Sequence, residues 1–275
     1  LIAPTDISSI DEINRQGAIA RLQEAIQQAY ELGAWQFALV SGQDPGTEHG
    51  LRRREQALKA LARSIDELYQ YSEKLAAKLG CTPLVITLET FDRCPEWRNQ
   101  LIGPSDEAIE LVRIVRDEYG HASFGLMYDL SHMPMIQGIS LERETPAVLY
   151  NLAPYLNHIH IGTCVTTKGD PLYGDSHPRF GYSGGDVTEE MLGAFVKALH
   201  EIGYEKGIGM EISPHGRDIS ESIVAEAKTW LDIARNRIDV NYALGSFYWQ
   251  TNKFFTEVMF NQVTEARVER SQIIL

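Results

Sequence analysis

The chain is poor in cysteine, with three in 275 residues, and Cys81, Cys94 and Cys164 form no short ladder of spacings. An odd and scattered set excludes a disulfide framework and fits a reducing compartment. Cys81 is expected to open a strand as a small buried hydrophobe, and Cys164 falls just past His160. Long apolar runs are missing as well. No stretch reaches the roughly 18 residues a membrane-spanning helix needs, and no secretory h-region is present. Basic residues are few, 25 Lys and Arg against 38 Asp and Glu, for a formal charge of -13 and a pI near 5.1. That balance argues against nonspecific binding to nucleic acid or anionic membrane. There is no internal repeat, no low-complexity linker, and no GxGxxG between a strand and a helix. The expectation is a soluble, cytoplasmic globular protein.

What is present is a steady alternation of strand and helix signals. Helical spacing runs over Asp11 to Leu32, Arg54 to Leu79, Asp106 to Tyr119 with Ser105 as N-cap, Leu141 to Leu152, Glu189 to Leu199, and Glu221 to Ala234. Between them lie the apolar runs WQFALVSG, TPLVITLE, SFGLMYD, NHIHIG and GIGMEI. This order predicts one domain over residues 1–275, an α/β fold of the (β/α)₈ TIM-barrel type. Five interior strands are clear, with a sixth candidate at the N-terminus and another at VNYALGSFYW. Because eight are needed, and because LIAPT reads as the end of a strand, the first βα units are expected to be absent from the chain. Residues 166–185 are rich in Gly, Asp, Pro and Ser and form a long active-site loop. Residues 250–275 are expected to be a C-terminal helical extension, helical over Phe254 to Arg267, with aromatics free to pack on a partner; a homo-oligomer is one outcome.

The strands end in a pattern. Glu89 closes VITLE, Asp129 closes FGLMYD, His160 stands in NHIHIG, and Glu211 closes GIGME. In a barrel the C-terminal strand ends converge on one mouth, so residues remote in sequence can meet there. Three carboxylates left alone would repel one another and take up protons, and a divalent cation resolves that conflict. A set of three oxygens and one imidazole, without thiolates, disfavours a structural zinc site. It favours Mn²⁺, with Mg²⁺, Co²⁺ or Zn²⁺ as alternatives. Four protein ligands around a six-coordinate ion leave two positions for adjacent oxygens of a hydroxy-carbonyl compound. His158 lies two residues before His160 on the same side of the sheet and is expected one layer deeper, as a hydrogen-bonded core histidine. His132, three residues past Asp129, is a candidate donor or base. His177 is a candidate substrate contact or second metal ligand, and Arg179 offers a forked donor to substrate oxygens. Asp92, two residues past the end of LET, is counted with the substrate-facing residues.

The ordered set LETFD, MYDLSH, HIHIG, GDSHPRFG and GMEIS, between about Trp35 and about Ala234, resembles the xylose isomerase-like TIM-barrel superfamily. Within it the similarity is greatest to sugar isomerases and epimerases of the ketose 3-epimerase and inosose-processing type. The resemblance implies a divalent ion held by Glu89, Asp129, His160 and Glu211, with His132 and Arg179 at a small sugar substrate. It also implies that Glu89 and Glu211 exchange protons with that substrate through an enediolate.

Other readings stay open. His132, Asp175 and His177 resemble part of the extra ligand set of an endonuclease branch that acts at abasic DNA sites through three zinc ions. That branch also uses histidines from earlier strands, whereas FALVSG here ends in Ser41 and Gly42 and the next histidine is His49. A further branch carries out eliminations on 3-keto sugars or cleaves their C-glycosides, with a histidine as base. A noncatalytic barrel subunit is the reading of a different class.

Overall fold

The computed structural model describes residues 6–46, 51–93, 98–136, 143–216 and 218–236. Six α-helices and five strands alternate along the described residues. α1 is Glu12–Glu31, β1 Gln36–Leu39, α2 Leu51–Leu79, β2 Val85–Thr90 and α3 Ser105–Arg113. A π-helical turn, Ile114–Glu118, prolongs α3 before β3, Gly125–Asp129. A short helix α4, Val148–Leu152, leads through a 3₁₀ turn into β4, Leu156–Ile161; α5, Glu189–Glu201, β5, Ile208–Met210, and α6, Ser220–Asn236, complete the series.

The strands form one sheet in the order β1-β2-β3-β4-β5, and every neighbouring pair is parallel. Parallel neighbours joined by helical crossovers are the βα repeat of a barrel, and the described strands form an arc of it. Local chemistry sets the helix starts. Asp11 Oδ1 accepts the amides of Ile13 and Asn14 at 2.9 and 3.1 Å at the head of α1, and Thr188 Oγ1 accepts that of Met191 at the head of α5. At α3 the expectation needs correcting: Pro104 is the cap, and the amide of Ser105 is taken by Glu144 Oε1 at 2.6 Å. Of the helix expected over Leu141 to Leu152, the described residues from Arg143 on are α-helical only over α4, because Pro146 and Pro154 bracket it and remove amides from its ladder.

Alternation along the strands decides what each face meets. Ile86 and Leu88, Leu126 and Tyr128, and Ile159 and Ile161 pack with Leu61, Leu68, Leu111, Val115 and Phe195 of the helices in one buried apolar cluster. The intervening residues, Thr87 and Glu89, Met127 and Asp129, His158 and His160, occupy the opposite, concave face. Register places Asp129 beside His160 and His160 beside Gly209. The polar strand-end residues thus form one row across the sheet.

Cys81 is exposed, against expectation, because β2 begins only at Val85 and the cysteine falls in the connection after α2. Cys164 is buried. Among the described residues no helix is long and apolar enough to cross a membrane. The candidate strands at LIAPT and VNYALGSFYW and the helix expected over Phe254 to Arg267 lie outside the described residues.

Candidate metal centre

Four strand-end residues converge. One ligand atom from each of Glu89, Asp129, His160 and Glu211 can be chosen so that all lie within 4.8 Å of one another. Glu89 is the penultimate residue of β2, Asp129 the last of β3, His160 the penultimate of β4, and Glu211 the first residue beyond β5. The backbone holds the last of these in place: the Glu211 amide donates to Ile161 O at 3.0 Å, continuing the ladder one residue past the strand.

The side chains are close but incompletely satisfied. His160 Nδ1 lies 2.7 Å from Glu211 Oε2 and 3.9 Å from Asp129 Oδ2. Asp129 is wholly buried; its Oδ1 accepts the Ser131 amide at 2.7 Å, while Oδ2 has no hydrogen-bond partner. Glu89 Oε1, also without one, lies 3.3 Å from His132 Nε2. Buried carboxylate oxygens without donors are costly, and a divalent cation among them supplies what the protein does not. The donor set fits that ion.

Electrostatics divide the two glutamates. Burial pushes the Glu89 carboxyl above its ordinary range, partly offset by His132. Burial acts on Glu211 in the same sense, but there the bond to His160 and the nearby charges of His177, His160 and His132 outweigh it and hold the carboxyl at about 2. His132 moves the other way. Burial lowers it, yet Glu89, Asp129 and Asp175 together hold it near 10.

A second group adjoins the first. Asp129, His132 and His177, all buried, also present ligand atoms within 4.8 Å of one another. His177 Nε2 is 2.8 Å from Asp175 Oδ1 and 3.6 Å from Glu211 Oε1. His177 has a φ of 46°, an uncommon conformation for a non-glycine residue and a sign of a position held by its surroundings. Its carbonyl takes the Ser213 amide at 2.7 Å.

Two expected substrate contacts sit differently. Arg179 is half-exposed and turned to Glu226 of α6, at 3.4 Å, and to Asp218, at 3.9 Å. The neighbouring Phe180 stacks on Trp230 of α6 at 5.3 Å, so this part of the loop is fastened to α6. Asp92 is buried, and its Oδ2 accepts the amides of Arg98 and Asn99 at 2.8 and 3.2 Å. It shapes the loop after β2. His158 does lie beside His160, ring to ring at 5.1 Å, but its Nδ1 has no hydrogen-bond partner. Burial, with His160 adding to it, holds it near 4. The hydrogen bond expected of a core histidine is therefore missing at Nδ1. Arg98 and Phe91 escaped the sequence reading. Arg98 Nη2 pairs with Asp175 Oδ2 at 2.8 Å, and Phe91 packs on His132 at 4.0 Å. The LETFD motif contains Phe91, but a strand-end pattern has no signal for a loop arginine.

Residues 2–234 match the xylose isomerase-like TIM-barrel family, and the chain belongs to that family. Among solved structures, D-psicose 3-epimerase from Clostridium cellulolyticum H10, crystallised with D-tagatose, is similar at a TM-score of 0.57 and 19% identity over 85% of this chain and 75% of that one. L-ribulose 3-epimerase gives a TM-score of 0.60 at 20% identity over 89% and 77%. The apo 3-keto-D-glucoside 4-epimerase of E. coli gives 0.52 at 18% over 84% and 74%. At these identities the likeness is one of fold. No curated protein sequence matches the chain.

Proposed function

We infer that the protein is a divalent-metal-dependent isomerase or epimerase of a small sugar or keto sugar. The observation that carries this reading is the placement of Glu89 and Glu211. They come from β2 and from the end of β5, with β3 and β4 between them, and they flank the Asp129–His160 pair that register sets side by side. Two carboxylates approaching one centre from separate strands are suited to work on two faces of one carbon. The fold's likeness to sugar 3-epimerases and a 4-epimerase supports the same class.

Glu89, Asp129, His160 and Glu211 would hold the cation, for which Mn²⁺ is our assignment. Bound there, it supplies positive charge to carbonyl and hydroxyl oxygens of the substrate. One glutamate removes the proton from the carbon next to the carbonyl, leaving an enediolate, and the other returns a proton to the opposite face. Buried His132, beside Glu89, is placed to donate to a substrate oxygen. The test is turnover of ketohexoses, inososes and 3-keto-glycosides with Mn²⁺ in D₂O. Deuterium on the epimerised carbon is the expected result, and a confirmed epimer without label rejects the two-glutamate route.

The Asp129–His132–His177 group favours a second reading, a two-cation hydrolase of phosphodiesters. Cleavage of abasic DNA as the main activity, with no sugar turned over, would select it.

A further inference from the structure

Arg98 stands on the outer side of the second ligand group in a built conformation. Asp92 clamps its amide and that of Asn99. Asn99 adopts a φ of 46°, and its carbonyl takes the Asp44 amide at 2.8 Å. The guanidinium lies 4.5 Å over the Phe91 ring, which in turn packs on His132. From there Nη2 reaches Asp175 Oδ2 at 2.8 Å. The other oxygen, Oδ1, faces His177 Nε2 at 2.8 Å and His132 Nδ1 at 3.7 Å. Asp175 is thereby enclosed between one permanent cation and the two histidines of the second group.

The charges at the mouth explain why that matters. A divalent ion among Glu89, Asp129, His160 and Glu211 answers the carboxylates of the first group. Asp175, its side chain buried beyond His132 and His177, is flanked by those histidines on one oxygen and by Arg98 on the other. Where the histidines are neutral, as metal ligands must be, the balancing charge comes from a second metal ion among Asp129, His132 and His177 or from a fixed side-chain cation. The second group has the marks of a cation site: all three residues are buried, and Asp129 Oδ2 and His132 Nδ1 have no hydrogen-bond partner. Arg98 delivers charge to the same carboxylate from the opposite edge. Its guanidinium does not lose its proton in a protein, and two cations crowded on one carboxylate repel each other.

We propose that Arg98 takes the place of a second metal ion and keeps the centre mononuclear. This rests on the reading of the first group as a metal site, and it names the residue that determines how many ions the mouth accepts. Removing the guanidinium charge opens the Asp129–His132–His177 group to a second divalent ion, with Asp175 freed to support it.

The experiment is Mn²⁺ titration by calorimetry, with bound metal counted by elemental analysis and melting curves recorded to establish folding. Wild type is expected to bind one ion per chain. Arg98→Gln and Arg98→Met should bind two, the second with an affinity at least about tenfold above any further binding by wild type. Arg98→Met keeps a side chain over Phe91 and gives the same answer if the glutamine variant misfolds. Arg98→Lys, which preserves charge, should stay at one. Adding His132→Gln to Arg98→Gln should return the count to one, locating the second ion. One ion in every folded Arg98 variant overturns the proposal and leaves the sugar-epimerase reading standing. Two ions in wild type overturn it and favour the hydrolase. No ion in wild type overturns both. One ion in wild type and two in the variants, without turnover of any sugar, upholds the proposal and rejects the epimerase reading alone.

Discussion

Between α1 and α2, the buried guanidinium of Arg15 gives Nε and Nη2 to Glu12, Nη2 also to Glu67, and Nη1 to Ser64. At the strand ends and in the loops that follow them, Glu89, Asp92, Asp129, His132 and His177 each bury a polar atom with no hydrogen-bond partner. Both regions place charge inside the molecule, and only the first is complete in itself. A charge that joins two helices can be satisfied by residues evolved beside it. A charge meant for a cation or substrate has to be left short of partners, and the fold bears that cost until the missing group arrives. Among the described residues most of the unsatisfied atoms gather at one end of the sheet, where the strands converge, while Arg15 lies among helix side chains.

The sharpest way to break this comparison is Asp129→Asn. The amide oxygen can still accept the Ser131 amide, but the second oxygen, the one without a partner, is replaced by a donor that repels a cation. Divalent-ion affinity should fall about a thousandfold, roughly 4 kcal/mol. In the metal-free protein the relief of carboxylate repulsion is opposed by loss of the charge that faces His132 and His160, so stability should move by no more than about 1 kcal/mol, about 2 to 4 °C in Tm for a domain of this size. A variant that binds Mn²⁺ as wild type does, or that fails to fold without metal, contradicts the account.

Next in size is the effect of the ion itself. Mn²⁺ at about a hundred times its Kd should stabilise the wild-type chain by about 2.7 kcal/mol, and EDTA should abolish the gain. An unchanged Tm on adding Mn²⁺ would show that the folded chain does not bind it. Arg15→Met tests the other region. It should lower stability by about 2 kcal/mol, less than a fully buried pair would cost because Glu12 is 58% exposed. It should leave Mn²⁺ affinity unchanged. Loss of metal binding in that variant would mean that the two regions are not separable.

How much of this could be read from the sequence depended on how each residue is held. Asp129 and His160 were legible because an apolar run with strand alternation ends at each, and β-strand geometry then fixes the face they occupy. Glu211 was legible for the same reason, although it lies one residue past β5. Arg98 was not: its partner Asp175 is distant in sequence and their meeting is a property of two loops, which carry no period. Arg179 shows the converse. Its type and setting suited a substrate contact, but Glu226 and Asp218 on and before α6 compete for it, and nothing local to GDSHPRFG reports them. Cys81 and α4 lie at element boundaries, which local sequence marks weakly: β2 begins only at Val85, and Pro146 and Pro154 confine α4 to Val148–Leu152.

The smallest predicted effect separates site from scaffold within the sheet itself, at two glycines. A Cβ on Gly125 would meet Tyr155 O and the Asn157 amide group at 2.5 to 2.6 Å, a backbone atom and a side chain that helps pin β4. A Cβ on Gly209 would instead meet the His160 ring, 2.9 Å from Cδ2 and 3.2 Å from Nε2, with His158 Nε2 next at 3.4 Å. Gly209 thus leaves the space in which His160 stands beside Asp129. Its backbone carries no left-handed φ, so alanine is compatible with the strand and only the imidazole must yield. Gly209→Ala should therefore melt within a few degrees of wild type yet bind Mn²⁺ about tenfold more weakly, some 1.4 kcal/mol. Gly125→Ala should show the reverse, a loss of stability from a clash with backbone and no change in affinity for the fraction that remains folded. Calorimetry and melting curves on the pair decide the matter. If Gly209→Ala destabilises the fold as much as Gly125→Ala does, or leaves the affinity untouched, then His160 is not positioned by the empty space beside it.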